Sequence, residues 1–198
     1  EEAGEQLELR RAQIELEEQL KRYVKSAFGT DSPSFEEERG RLLDTLSFVL
    51  PFAANVIYLS GQVGVGGGIV IDGDLLKGAQ GYGGEVGHMR VNPQGRECRC
   101  GAIGCWETEI GEPAVRAATG AADSESVAHI VARAESGDAV ALAGLRGVGD
   151  WVAIGVANLV HIFNPDVVVF GGALREVLPV VRDQVEDMLT GSLPAPGE

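Results

Sequence analysis

The spacing of apolar residues changes character near residue 52. Before it, Leu16, Leu20, Val24 and Phe28 recur every four residues, which predicts one apolar stripe on a helix from Gly4 to Phe28. Gly29 ends that helix, and Thr30-Asp31-Ser32-Pro33-Ser34 reads as a connector. Ser34 followed by Glu36, Glu37 and Glu38 predicts a capped helix start with acids at the positive end of the dipole, continuing to about Leu50 before Pro51. Two solvated amphipathic helices explain this pattern, and a partner-binding or coiled-coil role is the other reading.

After residue 52 short β-branched runs take over. Asn55 to Ser60 predicts a buried strand and Gly68 to Ile71 a second, with Asp72-Gly73 as a type I′ turn between it and a third extended piece at Leu75-Leu76. Helices are predicted across Ala114 to Ala143, then from Val148 to Phe163, where the sequence is apolar nearly all round and should be central. Asn164-Pro165 stops that helix. Asp166 to Phe170 reads as a strand of the buried, parallel-sheet kind, Gly171-Gly172 ends it, and Leu174 to Leu189 returns as an amphipathic helix. Ser192 to Glu198 should be a loose tail. The alternation predicts an α/β domain at 53–191, after a helical segment at 1–52.

Composition narrows the function classes. The 198 residues suffice for one cored domain or two small lobes, and the formal net charge of −14 disfavours phosphate backbones and anionic membrane surfaces. Direct nucleic-acid contact and membrane association by this chain are therefore not expected. No stretch reads as the ~20 apolar residues of a membrane helix, and the charged first 20 residues are unlike a signal peptide, so a cytoplasmic location is expected. Glycine is abundant, at 28 residues, and crowds between Gly61 and Gly111.

Two of these glycine-rich stretches carry candidate chemistry. Ser60 to Gly68 lies between predicted strands, so Gly64-x-Gly66 does not open a helix and is not a dinucleotide fingerprint; nor does a Gly-Lys-Ser/Thr follow. A glycine hairpin of this kind either cradles phosphate through Gly64, Gly66 and Gly67 or serves as tight-turn architecture, and both readings stay open. The second stretch holds all three cysteines. Cys98, Cys100 and Cys105 with His88 make a Cys₃His set suited to tetrahedral zinc, with no open position for hydrolysis; three buried free thiols are the alternative. His129 and His161 read as ordinary helix histidines.

Gly84-Glu85-Val86-Gly87-His88 followed by Gly95-x-x-Cys98-x-Cys100-Gly101-x-x-Gly104-Cys105-Trp106-Glu107 resembles the signature of the ROK family of bacterial sugar-responsive repressors and sugar kinases. The resemblance covers Asn55 to Leu189. It implies an actin-like, RNase H-type lobe of the sugar kinase superfamily with an inserted zinc loop at 88–107, preceded here by N-terminal helices. It further implies zinc on His88, Cys98, Cys100 and Cys105, sugar contacts from Glu85, His88 and Glu107, and a nucleotide near Gly171-Gly172. Carboxylates accept paired hydroxyl bonds, and a metal-bound imidazole presents its second nitrogen as a donor.

Two departures bear on activity. Kinases of the family carry an Asp-Asn-Asp-Ala-Asn-like segment whose aspartate takes the proton from the sugar hydroxyl. Nothing between Glu36 and Phe52 matches it, Asp44 being the aspartate nearby, and Val63 stands where the kinase loop usually has threonine. No basic winged helix-turn-helix precedes the lobe either. The resulting expectation is a zinc-stabilised, sugar-binding effector domain of a ROK-type regulator without catalytic activity, forming a homodimer or larger assembly. The alternatives are an ATP- and Mg²⁺-dependent hexose or N-acetylhexosamine kinase, or a truncated remnant that binds no sugar.

Overall fold

The apolar run at Val56–Gly61 becomes β1, buried along its whole length. A computed structural model describes residues 53–192; the two helices predicted before Pro51 and residues 193–198 of the tail lie outside the described residues. β2 (Val65–Ile71) pairs antiparallel with β1, and β3 (Asp74–Leu75) pairs antiparallel with β2. Asp72 and Gly73 between them have φ of 51° and 82°, the double positive φ of a type I′ turn. β4 (Val167–Gly171) lies parallel to β1, giving the order β3-β2-β1-β4.

β2 begins three residues earlier than its pattern predicts. Of the added residues, Gly66 and Gly67 are ladder residues opposite Ser60 and Leu59. They read as loop because glycine is a poor strand former, but a backbone ladder needs no side chain. At Gly67 there is also no room for one, since a Cβ would lie 2.5 Å from Val86 Cγ2.

Between β3 and β4 the chain forms a 3₁₀ turn (Val86–His88) and helices α1 (Glu107–Ile110), α2 (Glu112–Thr119), α3 (Val127–Glu135) and α4 (Ala139–Phe163). α5 (Gly172–Ser192) follows β4 directly and includes Ser192, expected in the tail. Asp138 caps α4 by accepting the N–H groups of Val140 and Ala141 at 3.0 Å each, and Asn164 ends it in the left-handed region. The sequence suggested a break between Ala143 and Val148; the helix instead runs 25 residues without one. Two of its glycines are seats for neighbours: a Cβ on Gly144 would lie 2.4 Å from the Ala118 carbonyl, and one on Gly149 3.0 Å from Val181. Tertiary packing here outweighs glycine's poor helix propensity.

This continuous helix corrects the expectation that no stretch is membrane-like. Among the described residues α4 is long and apolar enough to cross a membrane by length and composition. Leu145, Val148, Val152, Val156 and Leu159 of α4 are instead buried in the core, with Ile57, Leu59 and Ile69 of the sheet and Leu174 and Val177 of α5. The parallel strands β1 and β4 point their C-terminal ends the same way, and Gly61, the last residue of β1, bridges Gly172 just after β4. In α/β sheets this is the end where ligands bind.

Gly155 of α4 seats the Trp106 indole, because a Cβ there would lie 2.0 Å from Trp106 Cε2, whereas Gly147 on the same helix faces open space. Gly147→Ala is expected to stabilise the chain by about 0.5–1 kcal/mol and Gly155→Ala to destabilise it by about 1–3 kcal/mol. Urea unfolding measures both, and equal effects would mean that Trp106 is not seated on Gly155.

Candidate metal and sugar site

The loop from Met89 to Trp106 folds back on itself. Arg90 bridges Cys105 and Glu97 bridges Ile103, while the amides of Val91 and Asn92 donate to the Gly104 carbonyl at 3.0 and 3.2 Å. Gly104 has φ of 74°, and a Cβ on it would lie 1.5 Å from the Asn92 carbonyl oxygen, so only glycine closes this crossing. Inside the smaller turn, the Cys98 N–H donates to Ala102 O and the Gly101 N–H to Cys98 O, each at 2.8 Å.

That folding gathers His88, Cys98, Cys100 and Cys105, whose ligand atoms all lie within 4.8 Å of one another. Cys100 Sγ is 3.6 Å from Cys105 Sγ, and Cys98 Sγ is 3.7 Å from His88 Nδ1. A four-coordinate ion with metal–sulfur bonds of ~2.3 Å spaces its sulfurs about 3.8 Å apart, so this donor set fits a tetrahedral metal. The side chains come from two places, the 3₁₀ turn and the loop, and the loop's own hydrogen bonds hold the thiols together. Burial pushes the Cys98 thiol up to about 12, partly offset by the Cys100 N–H and reinforced by the adjacent Glu107 carboxylate. Burial also raises Cys105, whereas a hydrogen bond from the Ala102 backbone lowers exposed Cys100.

Glu107, the first residue of α1, is only 8% exposed. Its Oε1 accepts from the Cys98 thiol at 3.0 Å and lies 3.8 Å from His88 Nδ1 and 3.7 Å from Arg99 Nε. Its Oε2 accepts from the Val65 N–H at 3.4 Å. The preceding residue fixes it in place. Trp106 is fully buried, donates its indole N–H to Trp151 O at 2.7 Å, and donates its backbone N–H to Met89 O at 2.8 Å.

The structure thus brings two of the expected sugar contacts together at the Cys/His cluster, His88 as a member of it and Glu107 against it. Glu85, the third, is exposed at the start of the 3₁₀ turn, with its carbonyl accepting from the His88 N–H at 3.2 Å. A cleft of about 230 Å³ opens beside Glu107, lined also by Val63, Arg96, Arg99, Thr108 and Pro113; neither Glu85 nor His88 lines it. Of the expected phosphate glycines, Gly64 sits at the tip of the β1–β2 hairpin and Gly66 and Gly67 in β2. Gly171 and Gly172 lie at the end of β4, and a Cβ on Gly172 would be 2.3 Å from Gly61 O. Both glycine groups therefore reach the same end of the sheet. Neither Trp106's anchoring role nor Arg99's place beside Glu107 is visible in the residue pattern alone. A tryptophan wedged between a ligand cysteine and a buried glutamate was the available signal for the first.

A sugar-kinase-like α/β lobe with an inserted Cys/His loop is the class of domain these elements define. The chain belongs to the ROK family, whose sequence model matches residues 52–197. It is 34% identical over 132 residues to the xylose repressor of Bacillus subtilis (strain 168), covering 66% of this chain and 34% of that one. A crystal structure of a ROK family transcriptional regulator, homolog of E. coli MLC protein, matches with TM-score 0.66 and 28% identity over 76% of this chain and 42% of that one. A ROK family glucokinase from Streptomyces griseus, solved in complex with glucose and AMPPNP, matches with TM-score 0.63 and 30% identity over 74% of this chain and 54% of its own. The chain spans between about a third and a half of these proteins.

Metal binding must displace the protons of Cys98 and Cys105, both held above the ordinary thiol value of 9.0. Affinity for zinc(II) is therefore expected to rise steeply with pH between 6 and 8, by at least about a hundredfold per unit as these two protons leave. Chelator competition measures the slope, and a pH-independent affinity would contradict these protonation states.

Proposed function

We propose that this chain is a zinc-stabilised, sugar-binding effector domain of a ROK-type transcriptional regulator. The observation that carries the reading is the contact between the metal cluster and a buried carboxylate: His88 Nδ1 faces both Cys98 Sγ and Glu107 Oε1. Three thiols with one imidazole favour zinc, which when bound fixes the loop and the imidazole's tautomer. With Nδ1 committed to the cluster, His88 keeps Nε2 as a donor toward a sugar hydroxyl. Glu107 and Glu85 supply carboxylate acceptors for neighbouring hydroxyls, Glu107 from a fixed position and Glu85 from an exposed one. Phosphoryl transfer needs a base at the attacking hydroxyl, and no Asp-Asn-Asp-Ala-Asn-like segment occurs between Glu36 and Phe52 to supply the one the family's kinases use. The similarity to the B. subtilis xylose repressor and to the solved ROK regulator supports a regulator.

One observation favours a second reading, an ATP-dependent sugar kinase. The hairpin glycines and Gly171-Gly172 meet at one sheet end through the Gly61–Gly172 bridge, as a phosphate cradle would need. Two measurements separate the readings. Isothermal titration of the zinc-loaded chain with D-xylose and D-glucose is expected to show one site, weakened about ten- to a hundredfold in Glu107→Gln by loss of the charged acceptor. A coupled ADP-release assay with the same sugars is expected to show no turnover. Sugar-dependent ADP release would establish the kinase, and absence of binding to either sugar would count against sensing of these two.

A further inference from the structure

We propose that Gly64 and Arg99 are positioning residues for the Glu107 carboxylate, so that the tip of the β1–β2 hairpin is part of the sugar site; this rests on the reading that Glu107 contacts sugar. The two oxygens of Glu107 are held from different elements. Oε1 faces the metal loop, at 3.0 Å from the Cys98 thiol and 3.7 Å from Arg99 Nε, and Oε2 faces the hairpin through the Val65 N–H at 3.4 Å. The orientation of the carboxylate therefore depends on where the hairpin sits.

Gly64 is the point of closest approach. A Cβ built on it would lie 2.7 Å from Glu107 Oε2 and 2.7 Å from Arg99 Nη2. Its φ lies outside the left-handed region, so the turn itself does not demand glycine. What demands it is the backbone lying against both charged groups. Arg99 is 72% exposed, yet it reaches from the metal loop across Glu107 to the tip and closes the set. The tip is in turn tied to the helices that follow Glu107. The Gln62 N–H donates to Gly64 O at 2.8 Å, the Glu112 N–H to Gln62 O at 2.9 Å, and the Gly111 N–H to Glu107 O at 3.0 Å. A ligand that fixes Glu107 thereby biases the hairpin and the start of α2, and by linkage the hairpin biases ligand affinity.

The test uses the whole chain, zinc-loaded and labelled with ¹³C at the glutamate carboxyls. Glu107→Gln assigns the Glu107 carboxyl resonance by its loss. In the absence of sugar, that resonance is expected to move in Gly64→Ala and in Arg99→Ala, and to stay near its wild-type position in Arg99→Lys, with one zinc per chain throughout. Titration with D-xylose and D-glucose is expected to show affinity about tenfold weaker in each of the first two variants, as for loss of other orienting contacts, with most of it kept in Arg99→Lys. The double variant should fall short of the product of the single effects, because both act through one carboxylate. An unmoved carboxyl resonance in both variants would overturn the proposal whatever the sugar result. A moved resonance with unchanged affinity would also overturn it, since the hairpin would then orient Glu107 without belonging to the site. If the wild-type chain binds neither sugar, the underlying reading fails for these ligands, and the resonance alone decides the positioning.

Discussion

The seat of Trp106 is the constraint on which the rest of the site depends. The indole is fully buried, its N–H is satisfied by the Trp151 carbonyl, and its ring occupies the gap left by Gly155 on α4. A side chain of this size buries ~150–250 Å² and tolerates little movement once its polar atom is paired. The two residues on either side of it are Cys105, a fully buried thiol of the Cys/His cluster, and Glu107, the buried carboxylate. A site placed on a loop would ordinarily be imprecise, but this one is referred to the longest helix of the core through a single ring. The Trp106 amide completes the arrangement by binding Met89, next to His88, so both halves of the donor set share one anchor.

Charge is the second constraint. Burial favours the neutral form of Cys98 and Cys105 in the free chain, which lets Cys98 donate to Glu107 and gives that carboxylate a hydrogen-bonded place. A buried carboxylate without such donors would cost several kcal/mol, of order 2–7 even for a neutral polar group. Three thiolates around a divalent ion carry one net negative charge, and Glu107 adds another beside it. Arg99, exposed enough to remain hydrated, offsets one of these two charges without the desolvation cost of a buried ion pair.

Much of this was legible in the sequence because it rests on local chemistry. Strand β1, the Asp72-Gly73 turn, the stop at Asn164-Pro165 and the Cys₃His set all announce themselves in short windows of residues. What was not legible depends on partners far along the chain. Gly66 and Gly67 look like loop residues until β1 pairs with them, and Gly144 looks like part of a helix break until Ala118 fills the space beside it. Arg99 sits between two cysteines and reads as an incidental loop charge; only the fold carries it over Glu107 to the hairpin tip. The sequence located the donors of the site and missed the geometry that orients them.

The hairpin tip bears on how one fold can serve both regulators and kinases. Val63 lies at the tip, 73% exposed and lining the cleft, while Gly64 beside it presses against Glu107 and Arg99. The two positions answer to different requirements. A hydroxyl at residue 63 would serve a phosphate, and valine removes that donor without disturbing any contact of the buried carboxylate. A side chain at residue 64 would displace the carboxylate itself. On the proposed reading, phosphoryl-transfer chemistry can therefore be lost from this tip by a change at one residue, while its role at the sugar site persists through the next. The tryptophan anchor is seated on Gly155 of α4, while Arg96 and Arg99 of the Cys/His loop line the same cleft as Val63.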